Sequence, residues 1–135
     1  MSGPHHQLIQ HFFAALSSGD LPEDLLADDV TIWTTTSGFV NPAKAKYQGG
    51  VKLLQSLFPG RLRYRVVSLT AEDDRVAAEV QAHGTLTSGA VYENSYMYIF
   101  RIRDLRIASF AEHFNPLIVQ EKISPLLIAA MKAKQ

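Results

Sequence analysis

Residues 75–115, RVAAEVQAHGTLTSGAVYENSYMYIFRIRDLRIASFAEHFN, contain three runs in which apolar and polar residues alternate. A turn signal separates each run from the next, at Ser88-Gly89 and at Asp104. Alternation with a period of two is typical of β-strands, because successive side chains of a strand point to opposite faces of its sheet. The sequence therefore predicts an antiparallel meander of three strands, each with an inner and an outer row of side chains.

The inner rows predicted for this meander are apolar or aromatic except for one carboxylate. They consist of Val76, Ala78, Val80 and Ala82, then Tyr96, Tyr98 and Phe100, then Ala108, Phe110, Glu112 and Phe114. A slip of one residue would bury polar side chains, so these rows also predict the register. Glu112 lies among aromatic residues, where loss of solvation raises the pKa of a carboxyl group toward the range used in proton transfer. The alternative is that Glu112 pairs with an arginine or caps the C-terminal tail.

Helical and strand-like patterns occupy the chain before the meander. Apolar residues at helical spacing between Pro4 and Gly19 predict a helix over Pro4–Ser18. The segments that follow are predicted as a short helix over 20–29, a strand over 30–36, an irregular connection over 37–48, a helix over 49–58 and a strand over 61–71. Residues 43–47 of the connection could also form a helical turn.

The order of these elements predicts an α+β fold. Helices come first and the antiparallel meander follows, an arrangement in which a curved antiparallel sheet wraps around the N-terminal helix. Such a sheet encloses a cavity between its inner face and the helices. Residues 117–133 predict a helical tail with a break near Ser124-Pro125. We expect a single domain over residues 1–135, with its core at about 5–116 and a C-terminal helical extension over 117–135.

Composition restricts the partners that the chain is expected to have. It carries 13 Lys and Arg against 13 Asp and Glu, without the basic excess that nucleic acids or anionic membranes select. It has no cysteine, and no spacing of histidines and carboxylates predicts a metal site. No signal-peptide pattern and no apolar run of about 20 residues is present. We therefore expect a cytoplasmic protein with no nucleic-acid or membrane partner, no metal and no cofactor.

Four stretches, taken in their order and spacing, resemble a known family: FFAALSSGD (12–20), LLADDVTIW (25–33), DDRVAAEVQAHGT (73–85) and FRIRDLRIASFAEHFNP (100–116). Over about residues 7–116 the chain resembles the SnoaL-like and ketosteroid-isomerase-like members of the nuclear-transport-factor-2 superfamily. The resemblance implies a cone-shaped, cystatin-like roll with a deep, mostly apolar internal cavity, and a homodimer formed through the outer face of the sheet. It implies no single reaction, because this fold hosts isomerases, cyclases, dehydratases, epoxide hydrolases and non-catalytic binders.

The residues at the catalytic positions of the steroid isomerases argue against that particular activity. The general-base aspartate of those enzymes matches Thr34, which cannot act as a base near neutral pH. The helical tyrosine that donates to the oxyanion matches Phe12, which has no hydroxyl. The second donor, a protonated aspartate, matches Tyr98, which keeps a hydroxyl. Steroid isomerisation by that mechanism is therefore not expected.

Glu112 and Tyr98 remain as the candidate catalytic residues. Glu112 would act as acid or base and Tyr98 would polarise a carbonyl group. The residues expected to bind the ligand are Phe12, Leu16, Trp33, Thr34, Val80, Tyr96, Phe100, Phe110 and Phe114. Strict alternation would point Trp33 outward, so its place in the pocket depends on the register of its strand.

The sequence therefore predicts a protein that binds a small, mostly apolar organic molecule, with proton-transfer chemistry of the isomerase, polyketide-cyclase or dehydratase type. The alternative is a non-catalytic ligand-binding or dimerisation module of the same fold. Met97, Ile99 and Ala111 lie in the outer rows beside polar residues, and the C-terminal tail is apolar for a free tail. These features predict a homodimer.

Overall fold

A computed structural model describes residues 3–133 of the chain, so the ends of the predicted domain, residues 1–2 and 134–135, lie outside the described residues. The elements in chain order are α1 (Pro4–Ser18), β1 (Leu26–Thr34), β2 (Gly38–Val40), α2 (Ala43–Gln55), β3 (Arg63–Glu72), β4 (Arg75–Thr85), β5 (Val91–Arg103), β6 (Arg106–Phe114), α3 (Pro116–Lys122) and α4 (Ser124–Ala133). The predicted α+β class is confirmed. Within residues 3–133, no helix has the length and apolar character needed to cross a membrane.

The six strands form one mixed sheet in the order β2-β1-β6-β5-β4-β3. Strands β4 to β6 pair in antiparallel fashion, as the predicted meander requires, and β3 pairs with β4 in the same way. Strand β1 runs parallel to β6, which is the one departure from the expected antiparallel sheet. Alternation specifies which residues share a face, whereas the direction of a neighbouring strand depends on how the chain connects them. The sequence pattern therefore could not predict this parallel pair.

The observed register brings the predicted inner rows together. Tyr98 on β5 lies opposite Glu112 on β6, and Phe100 lies opposite Phe110. Strand β5 alternates strictly between exposed and buried residues along its whole length. The inner rows therefore form one continuous face that packs against α1.

Helix α1 fills the inner side of the sheet with aromatic side chains. The ring of Phe12 meets Phe100 and Phe110 edge to face, at centroid distances of 5.3 and 5.6 Å. Such arrangements add about 1 kcal/mol per pair beyond the area they bury. The helix ends at Gly19, whose φ of 83° is left-handed and whose N–H donates to the carbonyl oxygens of Ala15 and Leu16.

Two predictions for the segment before the meander are wrong. Residues 20–29 do not form a helix, since residues 23–25 form a turn and β1 already begins at Leu26. Pairing with β6 explains the early start, because the N–H of Ile107 donates to the carbonyl oxygen of Leu25 at 2.9 Å. The connection over 37–48 contains β2 and the first turns of α2, which starts six residues before the predicted Gly49.

The C-terminal tail forms two short helices that break at Ile123, next to the predicted Ser124-Pro125. Asn115 caps the first of them, because its Oδ1 accepts a hydrogen bond from the N–H of Leu117 at 3.0 Å. Ile123 is buried, so the tail packs on the rest of the chain rather than extending into solvent.

Candidate functional site

A pocket of about 290 Å³ lies between the inner face of the sheet, α2 and the two C-terminal helices. The strands contribute polar groups to its wall, namely Tyr64, Tyr92, Tyr96 and Glu112. Apolar side chains of α2, α3 and α4 form the opposite wall, among them Leu54, Val119 and Leu127. A mostly apolar cavity with a few converging polar groups is typical of a site for a small organic molecule.

Glu112 is held at this wall by two tyrosine hydroxyls. Tyr98, directly opposite on β5, donates to Glu112 Oε1 at 2.8 Å, and Tyr47 of α2 donates to the same oxygen at 3.4 Å. Oε2 has no hydrogen-bond partner within residues 3–133. No unpartnered side-chain oxygen of those residues is fully buried, so Oε2 keeps some accessible surface, and Glu112 lines the pocket. One oxygen is therefore fixed and the other is free to meet a ligand.

Burial raises the pKa of the Glu112 carboxyl group from 4.5 to about 7, while the hydrogen bonds from Tyr98 and Tyr47 partly offset that increase. The alternative that Glu112 pairs with an arginine is not realised. In the described part of the chain, the ion pairs join Lys44 and Arg103 to other carboxylates, and His83 lies 3.4 Å from Glu93. Near neutral pH the carboxyl group is thus close to half ionised and able to accept or donate a proton.

Tyr98 supports this carboxylate and does not reach a ligand. Its side chain is fully buried, it does not line the pocket, and its hydroxyl proton is directed at Glu112. Polarising a ligand carbonyl would require that proton to face the cavity. The predicted role of Tyr98 as a carbonyl donor stays a prediction, and the observed partner of its hydroxyl is Glu112.

The structure brings only part of the predicted ligand-binding set to the pocket. Thr34, Tyr96 and Phe114 line it. The residues that instead lie in the hydrophobic core are Phe12, Leu16, Val80, Phe100 and Phe110. Trp33 lies on the outer face of the sheet, where its ring is 4.6 Å from that of His113. None of these six residues borders the cavity, and the ring of Phe12 on α1 packs against this part of the inner face.

Sequence reasoning missed three tyrosines of the pocket, Tyr47, Tyr64 and Tyr92. Tyr92 shares the inner row of Tyr96, so extending the alternation by two steps would have found it. Tyr64 alternates with Arg63 and Arg65, so the same period of two would have placed it on the inner face. Tyr47 carried no usable signal, because its segment was expected to be irregular and no face could be assigned.

A model of the SnoaL-like domain matches residues 9–110 of the chain. The chain therefore belongs to the SnoaL-like family, as the resemblance of its motifs indicated. Among curated proteins, the uncharacterised protein YesE of Bacillus subtilis (strain 168) is 36% identical over 53 residues. That stretch covers 38% of this chain, and the chain spans only 36% of the length of YesE.

Solved structures share the fold of this chain at low sequence identity. IdmH of Streptomyces antibioticus, a proposed polyketide cyclase, is 21% identical with a TM-score of 0.75, covering 87% of this chain and 96% of its own. A proposed SnoaL-like polyketide cyclase from Jannaschia sp. is 15% identical with a TM-score of 0.75, covering 90% of this chain and 92% of its own. At these identities the likeness concerns the fold.

Proposed function

We propose that this protein binds a small, mostly apolar organic molecule in its pocket and that Glu112 transfers a proton to or from it. The observation that carries the proposal is a carboxyl group that lines a mostly apolar cavity and has a pKa of about 7. A general acid or base is most effective when its pKa lies near the working pH. The proposed polyketide cyclases that share the fold support the same kind of chemistry.

The step we propose is removal of a proton from a carbon atom next to a carbonyl group. The Glu112 carboxylate takes the proton, the electron pair of the C–H bond forms a C=C bond, and the carbonyl π electrons move to oxygen, giving an enolate. Where the carbonyl compound also has a C=C bond between its β and γ carbons, the enolate is conjugated with that bond. Protonated Glu112 then returns the proton to the γ carbon, the C=C bond moves to the α and β carbons and the C=O bond re-forms, which is an isomerisation. In a cyclisation, the enolate carbon attacks a second carbonyl group and Glu112 protonates the oxygen of that group.

The second candidate function is a binding or dimerisation module without catalysis. It is favoured by Thr34 and Phe12, which stand where the steroid isomerases carry a base and a donor. It is also favoured by the exposed outer face of the sheet, where Met97 and Ile99 are 48% and 42% exposed. We propose a homodimer through this face under either function.

Deuterium exchange at a carbon acid tests the catalytic proposal. The probe is β-tetralone, an apolar ketone with acidic hydrogens next to its carbonyl group, followed by NMR in deuterium oxide. We expect the protein to accelerate exchange and Glu112→Gln to slow it at least about 100-fold, because the amide cannot accept the proton. Its oxygen still accepts from Tyr98, so binding of the ketone should change less than about threefold.

The control is Glu121→Gln, which removes an exposed carboxylate of α3 and should leave exchange unchanged. An unchanged rate of deuterium exchange in Glu112→Gln would show that Glu112 does not take part in the reaction. Binding of the ketone without any exchange by the native protein would instead favour the non-catalytic module.

A further inference from the structure

A chain of hydrogen bonds along β5 ends at the pocket. Asn94 Nδ2 lies 3.1 Å from the carbonyl oxygen of Asn115 and 3.1 Å from the hydroxyl of Tyr92. The Tyr92 hydroxyl lies 2.6 Å from that of Tyr96, which lines the cavity. Asn94, Tyr92 and Tyr96 occupy alternate positions of the strand, so all three side chains point to the inner face.

The direction of this chain follows from its first member. A carbonyl oxygen can only accept, so the atom of Asn94 that faces Asn115 must be the amide nitrogen. The same nitrogen then donates its second proton to the oxygen of Tyr92. Tyr92 is buried, and the Tyr96 oxygen is the only acceptor within its reach in residues 3–133. Either hydroxyl could donate in this pair, and burial favours Tyr92 as the donor, because Tyr92 is the more buried of the two, at 1% against 6% exposed.

This order leaves the proton of Tyr96 free. No acceptor for it lies within the described residues, and its ring borders the cavity. Tyr96 stands opposite Phe114, one inner position along from the Tyr98 and Glu112 pair. Diagonal neighbours of this kind are about 7 Å apart. This backbone spacing places the two side chains next to each other on the inner face, where both border the cavity.

We propose that Tyr96 donates the hydrogen bond that holds the carbonyl oxygen of the ligand, with Tyr92 and Asn94 as the positioning residues that aim its proton. The substrate class is then a carbonyl compound whose acidic carbon lies beside Glu112. This inference rests on the proposed function and extends it. As the proton moves to Glu112, negative charge grows on the carbonyl oxygen and the bond from Tyr96 strengthens.

Two further features support this assignment. Burial holds the pKa of Tyr96 well above its ordinary value, so its hydroxyl keeps the proton throughout the step. Acceptance of a hydrogen bond from Tyr92 makes the Tyr96 hydroxyl a stronger donor, because successive hydrogen bonds polarise one another. Tyr64 also lines the cavity with an unpartnered hydroxyl, but no neighbouring group of the described chain orients it.

The test is the infrared frequency of the bound carbonyl group, with carbon-13 β-tetralone as the probe and the unlabelled ketone subtracted. We expect the band to lie at lower frequency than in cyclohexane. Tyr96→Phe should abolish that shift, and Tyr64→Phe should keep it. The proposal would be overturned if the carbonyl band of the Tyr96→Phe variant lay at the same frequency as in the native protein. It would also be overturned if Tyr64→Phe, and not Tyr96→Phe, abolished the shift.

Affinity gives a second measurement. Tyr96→Phe should weaken binding of β-tetralone about fivefold, the effect of one hydrogen bond to a neutral acceptor. Binding of tetralin, the same ring system without the carbonyl oxygen, should not change. Equal losses for both ligands would mean that Tyr96 contributes shape only and would contradict the proposal.

Tyr92→Phe tests the positioning role without removing the donor. The band should move part of the way to higher frequency, because Tyr96 loses the hydrogen bond that polarises it. This variant also tests the proposal if Tyr96→Phe does not fold, since an unchanged band in Tyr92→Phe overturns the proposal.

Glu112→Gln separates the two proposals: it should stop deuterium exchange and keep the carbonyl shift. The native protein could show a carbonyl shift that depends on Tyr96 and yet fail to accelerate deuterium exchange. In that case the catalytic proposal would be wrong and the assignment of Tyr96 would stand.

Discussion

Glu112 is held where its ionised form is poorly solvated, so the fold itself depends on the protonation of this residue. Its pKa is about 7 in the folded chain against 4.5 ordinarily. Below pH 4.5 the group is protonated in both the folded and the unfolded state. Between the two values only the folded state keeps the proton, so its stability falls as pH rises. Above about pH 7 Glu112 is ionised in both states, and the folded state bears the full free-energy cost of burying the charge.

Glu112→Gln should remove this penalty, because an amide has no charge to bury. The free energy of unfolding of the variant, relative to the native protein, should rise between about pH 4 and pH 8 by up to roughly 3 kcal/mol. Denaturant titrations at several pH values measure the difference. Glu121→Gln on the exposed side of α3 should show no such rise. A pH-independent difference would mean that Glu112 ionises as it does in solvent.

At the scale of the elements, α2 contains two consecutive glycines in its interior, Gly49 and Gly50. A glycine costs about 1 kcal/mol in a helix interior relative to alanine. A Cβ added at either position meets no atom within 4 Å, so packing does not require the absence of a side chain. Gly50 lines the pocket and Gly49 does not. The open space beside Gly50 is therefore space that a ligand can use.

Larger residues at these two positions should have separable effects. Gly49→Ala and Gly50→Ala should each raise the free energy of unfolding by about 0.5 to 1 kcal/mol, because both favour the helix. Gly50→Leu should weaken binding of β-tetralone about tenfold by filling part of the cavity, whereas Gly49→Leu should leave it unchanged. Calorimetry and thermal unfolding provide the measurements. Equal losses of binding at both positions would show that Gly50 has no special relation to the pocket.

The same glycines explain why part of the site could not be predicted. Glycine disfavours a helix interior, so the sequence indicates a helix boundary at Gly49 and places Tyr47 in a connection, whereas α2 spans both. Packing of Val51 and Tyr47 against the core overrides that local preference. Glu112 and its partner Tyr98 were predictable, because alternation with a period of two continues through β5 and β6. The role of Tyr98 was not, because alternation does not tell where a hydroxyl proton points.

At the scale of the whole molecule, the outer face of the sheet carries an apolar row across four strands. Trp33 pairs with Ala111, Ala111 with Ile99, and Ile99 with Ala77, so their side chains lie side by side. Met97 is next to this row and is 48% exposed. An exposed apolar row of this kind is typical of a surface that another chain covers. It is the surface on which we propose the homodimer.

Ile99→Lys should convert the proposed dimer to a monomer, because it places a charge at the centre of the apolar row. Light scattering at micromolar concentration measures the mass. Ile128→Lys, at a 54% exposed position of α4, is the matched control and should leave the mass unchanged. A monomeric native protein under these conditions would contradict the homodimer.

Asn115 makes hydrogen bonds to two parts of the molecule. Its side chain caps α3, and its carbonyl oxygen accepts from the Asn94 amide that begins the chain of donors leading to Tyr96. A shift of the Asn115 backbone would therefore disturb both the start of α3 and the hydrogen bond that holds the Asn94 amide. The position of α3 and the orientation of the Tyr96 hydroxyl are linked through this one residue. Under the proposal for Tyr96, the residue that begins the C-terminal tail also sets the direction of the hydrogen bond offered to a ligand.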